Sequence, residues 1–197
     1  MKIITKDFIS IFNAFWYRDF PLVKELKETG SRAEWTIHLG ICTRSTADLL
    51  GYFTYFESGG RTDAIIKDNT ENIVANLEWE WKEPRFIEKV NEVRQLHSTR
   101  NNCQFSVFVS YSDNRYHEDN LRAVIEQWGS VAEPLVLILI RFNRNGRRIF
   151  DLMETYHIQN GKVRKVRKQN ALPWEASGKR WEDHAKHLNS ANSSRFS

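Results

Sequence analysis

The sequence predicts an α/β fold: a central mixed β-sheet flanked by helices, with a basic β-hairpin towards the C-terminus. Three observations predict it. Period-two segments of strand formers at 52–57, 62–66, 72–82 and 104–112 give way, from residue 84 onward, to interleaved segments of helical period. The apolar run PLVLILIRF at 134–142 is too short for a membrane span and reads as a strand buried on both faces. Two Asn-Gly pairs, at 145–146 and 160–161, signal hairpins in the last third of the chain. Strands interleaved with helices in this way build a sheet covered by helices.

The elements follow in order. Phe8, Phe12, Phe15 and Trp16 share one face of a helix over 5–19, with Thr5 as its N-cap. Pro21 opens a second short helix, LVKELKETG, ending at Gly30. Ser31 and Glu34 form a capping box for a helix running to Leu50. YFTYFE at 52–57 is a strand, Gly59-Gly60 a turn, and TDAII a second strand. The polar stretch 67–71 turns into NIVANLEWEWK at 72–82, a third strand that Pro84 terminates. PRFIEKVNEVRQLHS is then a helix with Phe86, Val90, Val93 and Leu96 inward. QFSVFVSYS at 104–112 is a strand, and 117–130 a helix with Leu121, Val124, Ile125 and Trp128 on one face, stopped by Gly129. RRIFDLMETYHIQ and KVRKVRK pair as strands around the second Asn-Gly. The chain divides into a helical segment 1–30 packed on the core, a core with its hairpin at 31–175, and a polar tail at 176–197, with no internal repeat.

Bulk properties exclude several classes. A chain of 197 residues, 41% apolar and 27% charged, builds its own core without disulfides or structural metals. Seven Trp and twelve Phe make that core aromatic. No stretch reaches the roughly 18 apolar residues of a membrane span, and Lys6, Asp7, Arg18 and Asp19 interrupt any secretory pattern at the start. Cys42 and Cys103 lie far apart, which fits small core residues in a reducing cytoplasm. The six histidines show no zinc spacing; His184 and His187 are i, i+3 without further ligands. Gly59-Gly60 lacks the Lys-Ser/Thr of a phosphate loop, and Ser110 and Ser112 lack a nucleophile elbow. Glu57 reads as an ordinary polar residue. The net charge is +4, but nine Lys or Arg between Arg141 and Lys168 face only Asp151 and Glu154. Such a patch attracts polyanions, nucleic acid first among them, although a solvated charged face needs no partner.

The chemistry lies at 73–82. Alternation puts Ile73, Ala75, Leu77, Trp79 and Trp81 on one face, and Val74, Asn76, Glu78, Glu80 and Lys82 on the other. Asp63 on the preceding strand adds a carboxylate. Two adjacent acidic strands offer the oxygen ligands that Mg²⁺ or Mn²⁺ takes, and the crowding should raise at least one carboxyl pKa. A half-exposed strand alternates Trp with Glu as well, with no chemistry implied.

Asp63 in GGRTDAII, followed by Glu80-Trp81-Lys82 at the end of the next strand, resembles the PD-(D/E)XK nuclease superfamily, the restriction-endonuclease-like fold. The resemblance covers residues 31–142. It implies a Mg²⁺-dependent nuclease acting on DNA, with Asp63 and Glu78 on the metal, Glu80 as a further ligand or water-positioning group and Lys82 as an electrostatic helper. Thr62 stands where many members carry Pro. The motif reads in two registers, Glu80-x-Lys82 or Glu78-x-Glu80. Glu34 matches the extra acid that several members place on the preceding helix. Arg164, Lys165, Arg167 and Lys168 are the residues expected to hold the phosphate backbone, and a homodimer is a further option. Two rivals stand beside this: a non-catalytic nucleic-acid-binding module of the same fold, and a regulatory protein whose aromatic surface binds another protein.

Overall fold

The structure, a computed structural model, describes residues 1–21, 31–58, 62–145 and 147–175. The expected helix at 22–30, the Gly59-Gly60 turn, Gly146 and the tail at 176–197 with His184 and His187 lie outside the described residues, as does the side chain of Trp174.

Helix α1 (Ile3–Arg18) and helix α2 (Arg32–Leu49) come first. The Ser31 hydroxyl accepts from Glu34 N at 3.3 Å, and the Glu34 carboxylate accepts from Ser31 N, the reciprocal capping box. Strands β1 (Phe53–Ser58), β2 (Thr62–Lys67) and β3 (Ile73–Glu80) follow. Between β2 and β3, Asp68 Oδ1 accepts from the backbone N–H groups of Thr70 and Asn72 and builds the turn. Helix α3 (Glu92–Thr99), β4 (Phe105–Asp113), α4 (His117–Trp128), β5 (Leu135–Asn145), β6 (Arg147–Gln159) and β7 (Lys162–Asn170) complete the order. Gly129 stops α4 at φ +69°, a conformation that only glycine adopts without strain.

The seven strands form one mixed sheet in chain order, β1 to β7. β3, β4 and β5 run parallel; the other neighbours are antiparallel. Successive residues of β5 alternate between two cores. Val136, Ile138 and Ile140 join the aromatic residues of α1 and α2, among them Trp16 and Trp35. Leu135, Leu137 and Leu139 join Val93, Leu96, Val124 and Trp128 of α3 and α4. Helices therefore cover both faces, and β5 is fully buried over 135–140.

Two expectations change. The helix expected from Pro84 begins only at Glu92, because residues 83–91 form turns in which Phe86 N and Lys89 N donate to carbonyls three residues back. Phe86 is accordingly exposed, while Val90 is buried. Strict alternation would set Lys162, Arg164, Val166 and Lys168 on one face of β7 and Val163, Lys165 and Arg167 on the other, and it also fails. A bulge at Thr155/Tyr156 pairs Tyr156 with Lys165 but Thr155 with Arg167, leaving Val166 as the extra residue. Lys165 and Lys168 therefore share the face of Tyr156 and Glu154, and Arg164 and Arg167 take the other. Cys42 is a core residue as expected, whereas Cys103 is only half-buried. No helix among the described residues is long and apolar enough to cross a membrane.

Candidate functional site

The antiparallel register that pairs Ala64 with Leu77 sets Asp63 beside Glu78. The Asp63 Oδ2 accepts from Trp79 N at 2.8 Å, which pins the carboxylate against β3. Glu78 is 2% exposed, and its Oε1 is buried with no hydrogen-bonding partner. Burial pushes the Glu78 carboxyl well above the ordinary range; the charge of Asp63 and a hydrogen bond shared with it push the same way. Asp63 is raised too, by burial first, against the bond from Trp79 and with the charges of Glu80 and Glu57 adding to the rise. Both shifts disfavour simultaneous ionisation of the pair.

Three more carboxylates surround this pair. Glu80 is 9% exposed; its Oε1 accepts from Lys82 N at 2.9 Å and lies 3.5 Å from Arg32 Nη2 of α2. Glu92, in the first turn of α3, has a buried Oε2 without a partner. Its pKa is raised by burial, and Glu80 and Asp63 contribute. Glu57 lies across from Asp63 on β1, between the pairs Phe56–Ala64 and Ser58–Thr62, in a left-handed conformation at φ +50°. Neither Glu57 nor Glu92 is visible as a site residue in the sequence. Glu57 sits at the end of a strand-like run, and Glu92 falls within a helix read as beginning eight residues too early.

The remaining candidates separate. The Glu34 carboxylate is committed to the helix cap. Lys82 lies beyond the end of β3 with an exposed side chain. Among the described residues no group of three or more His, Cys, Asp or Glu is arranged to hold a metal ion. Glu80 is turned towards Arg32 and the Lys82 amide rather than joined to the Asp63–Glu78 pair.

The basic side chains form two sets. Register carries Glu80 across Ser110, Leu139 and Glu154 to Lys168, and Glu78 across Phe108, Leu137 and Tyr156 to Lys165. The β7 cations thus stand level with the acids along the strands, four strand spacings or about 19 Å away. Arg164, Lys165, Arg167 and Lys168 are all exposed, and Lys165 Nζ reaches Glu154 Oε1 at 2.9 Å. The second set rides on β5 and β6, which extend past the end of β4. From there Arg148 Nη1 donates to Trp81 O at 2.7 Å and lays its guanidinium 4.2 Å from the Trp81 ring centroid. Burial lowers the Arg148 pKa to about 10, so it remains charged beside the acidic end of β3.

Glu154 anchors a separate buried network on the α4 face. His117 Nε2 lies 2.9 Å from both Tyr156 Oη and Glu154 Oε2, and His117 Nδ1 is 3.2 Å from Ser112 Oγ. Asn120 Nδ2 donates to Ser112 Oγ and to Glu83 Oε2, each at 3.0 Å. The grouping has the residue types of a nucleophilic triad, but Ser112 is 0% exposed and offers no face to a substrate. It is a polar brace between α4 and the sheet.

No family model matches the chain, and no curated protein matches it. Among solved structures it is similar to the YaeQ protein from Xanthomonas axonopodis pv. citri, at 10% identity over 77% of this chain and 85% of that one, with a TM-score of 0.32. It is also similar to the YaeQ protein from Pseudomonas syringae, at 12% identity over 64% and 70% of the two chains, with a TM-score of 0.27. At these scores the likeness assigns neither a fold family nor an activity.

Proposed function

We propose that this protein is a Mg²⁺- or Mn²⁺-dependent nuclease that hydrolyses DNA phosphodiester bonds, built on a restriction-endonuclease-like core. The observation that carries the reading is Glu78: a buried carboxyl beside Asp63 whose second oxygen has no protein partner. Hard divalent cations take oxygen ligands, and a cation is what would let both acids ionise. Asp63 and Glu78 would hold the metal. Glu80 and Glu92 stand near enough to interact electrostatically with the pair and would complete the ligand or water-positioning set, Glu80 after leaving Arg32. When bound, the metal would lower the pKa of a water and neutralise charge on the phosphate. The protein would hold the DNA backbone through one face of β7, Arg164 with Arg167 or Lys165 with Lys168, with Lys82 and Arg148 lending positive charge beside the reacting phosphate.

The purified protein is expected to nick plasmid DNA with Mg²⁺ or Mn²⁺ and not with EDTA. Asp63→Asn should remove this activity while leaving the melting temperature within a few degrees. Cleavage that survives Asp63→Asn would overturn the reading. A second reading, a non-catalytic DNA-binding module, draws on the Arg32–Glu80 pair, which gives the acidic cluster an internal counter-charge. Salt-sensitive DNA binding without cleavage under any metal would favour it.

A further inference from the structure

Beside the acid pair, a cavity of about 350 Å³ opens between α2 and the first three strands. Ile37, Ile41 and Arg44 of α2 line it on one side, and Phe56, Glu57 and Trp79 on the other; Asp63 lines it as well. The volume falls within the roughly 300–1,000 Å³ of small-molecule sites. Ile37 and Ile41 are 61% and 45% exposed, an apolar pair that packing of this chain leaves uncovered. Gly40 also lines the cavity. A glycine inside a helix costs about 1 kcal/mol relative to alanine, yet a Cβ at Gly40 would meet only the Phe56 ring, at 3.6 Å. Packing does not require the glycine, and its missing side chain keeps the cavity open.

We infer that this cavity receives one unpaired, amino-bearing nucleobase, adenine, cytosine or guanine, of a DNA strand whose neighbouring phosphate lies at Asp63. The identity of the ligand rests on the nuclease reading. Phe56 and Trp79 offer aromatic rings, and base-on-aromatic stacking is worth about 1–3 kcal/mol per base with little dependence on sequence. Glu57 supplies the preference. A carboxylate accepts from the exocyclic amine of cytosine, adenine or guanine, and thymine has none. The left-handed backbone of Glu57, costly for a residue with a side chain, occurs at the residue that faces both Asp63 and the cavity. Arg44 adds the one positive charge of the lining among the described residues and suits a flanking phosphate. A base seated here is out of its duplex, so the preferred substrate is a single strand, a flap or a frayed end.

The test uses the deoxynucleoside 5′-monophosphates dAMP, dCMP and dTMP, titrated without divalent metal and followed by NMR chemical shifts. The proteins are wild type, Gly40→Leu and Glu57→Gln. dAMP and dCMP are expected to bind about fivefold more tightly than dTMP, and Glu57→Gln should erase that preference. Gly40→Leu fills the cavity and should weaken all three by about tenfold, with Mn²⁺ affinity unchanged and a melting temperature no lower than that of wild type. Equal affinity for the three nucleotides, or wild-type binding by Gly40→Leu, overturns the assignment. Cleavage assays on single-stranded and blunt duplex DNA separate the two ideas. Nucleotide binding with no cleavage of any DNA removes the nuclease reading and keeps the pocket. Cleavage that Gly40→Leu carries out on single strands with wild-type KM removes the pocket and keeps the nuclease.

Discussion

Asp63 and Glu78 stand side by side on adjacent antiparallel strands, and Glu78 has one buried oxygen that no described residue satisfies. The pair resists ionisation in the folded state, which makes it a stability switch as well as the proposed ligand pair.

The pH dependence follows from sign. Glu78 has a folded-state pKa above its unfolded value, so the folded form binds more protons. Stability from this group is full below about pH 4.3 and is lost as the pH rises from there towards the raised folded pKa. Glu78→Gln should therefore flatten the decline of melting temperature above pH 4.3 and stabilise the metal-free protein at pH 8 by about 1–2 kcal/mol, several degrees. Thermal melts across pH 4–9 in EDTA measure this, and a Gln variant less stable than wild type at pH 8 would contradict it.

Metal should reverse that penalty. At a hundredfold excess over Kd, Mn²⁺ or Mg²⁺ should stabilise the wild type by about 2.7 kcal/mol and release protons on binding. Calorimetry in two buffers of different ionisation enthalpy reads both quantities. Glu78→Ala should bind with neither effect.

Under the proposed function Arg32 would compete with metal for Glu80, with which it pairs at 3.5 Å. Its side chain is mostly exposed, so the ion pair contributes little to stability, under about 1 kcal/mol. Arg32→Ala should leave the melting temperature nearly unchanged and raise Mn²⁺ affinity by up to about fivefold, the same energy transferred to the metal. Unchanged metal affinity would separate Glu80 from the ligand set.

Glu154 behaves in the opposite sense to Glu78. Burial favours its neutral form, but the bonds from Tyr156 and Lys165 and the neighbouring His117 overcome this and hold its pKa down at about 2. The stability it contributes is present above about pH 4.3 and disappears as the pH falls towards 2. Glu154→Gln should cost about 3 kcal/mol at pH 7, because it leaves Lys165, Arg141 and Tyr156 without their charged acceptor. Chemical denaturation at pH 7 and pH 3 tests this: the difference between variant and wild type should shrink at the lower pH.

Salt dependence can resolve which face of β7 meets DNA. Each phosphate contact contributes about 0.9 to the slope of log K against log salt on duplex DNA. The double replacements Arg164→Gln/Arg167→Gln and Lys165→Gln/Lys168→Gln remove charge from opposite faces. Only one should lower the slope, by up to about 1.8; if neither does, the strand is a solvated edge.

The strands were legible because alternation is a strong signal, and so was the seat of Asp63 beside Glu78, which needs only a hairpin in register. Glu57 and Glu92 were not. A left-handed residue at a strand end has no sequence pattern unless it is glycine, and the placement of Glu92 depends on turns at 83–91 that read as helix because Phe86, Val90 and Val93 keep helical spacing. The β7 faces were misassigned for a related reason: a bulge adds one residue without changing composition. The His117 network joins Ser112, Glu154 and Tyr156 from three elements, a proximity that no local spacing encodes.

The strict succession of strands across the sheet also shapes how the chain folds. Every strand pairs with the one before it, so each addition closes a short loop at small entropic cost, except at the two helical crossovers that precede β4 and β5. Helix α1 is the exception of longest range. Trp16 Nε1 donates to Ala171 O at 2.8 Å, and Tyr17 Oη donates to Asn170 O at 2.5 Å, more than 150 residues away. The aromatic stripe of α1 thus gains its last partners only after β7 is made. During synthesis Trp16 and Tyr17 must wait for these partners through almost the whole sheet, with α2 as their early cover, which leaves apolar surface of the nascent protein for a chaperone to hold.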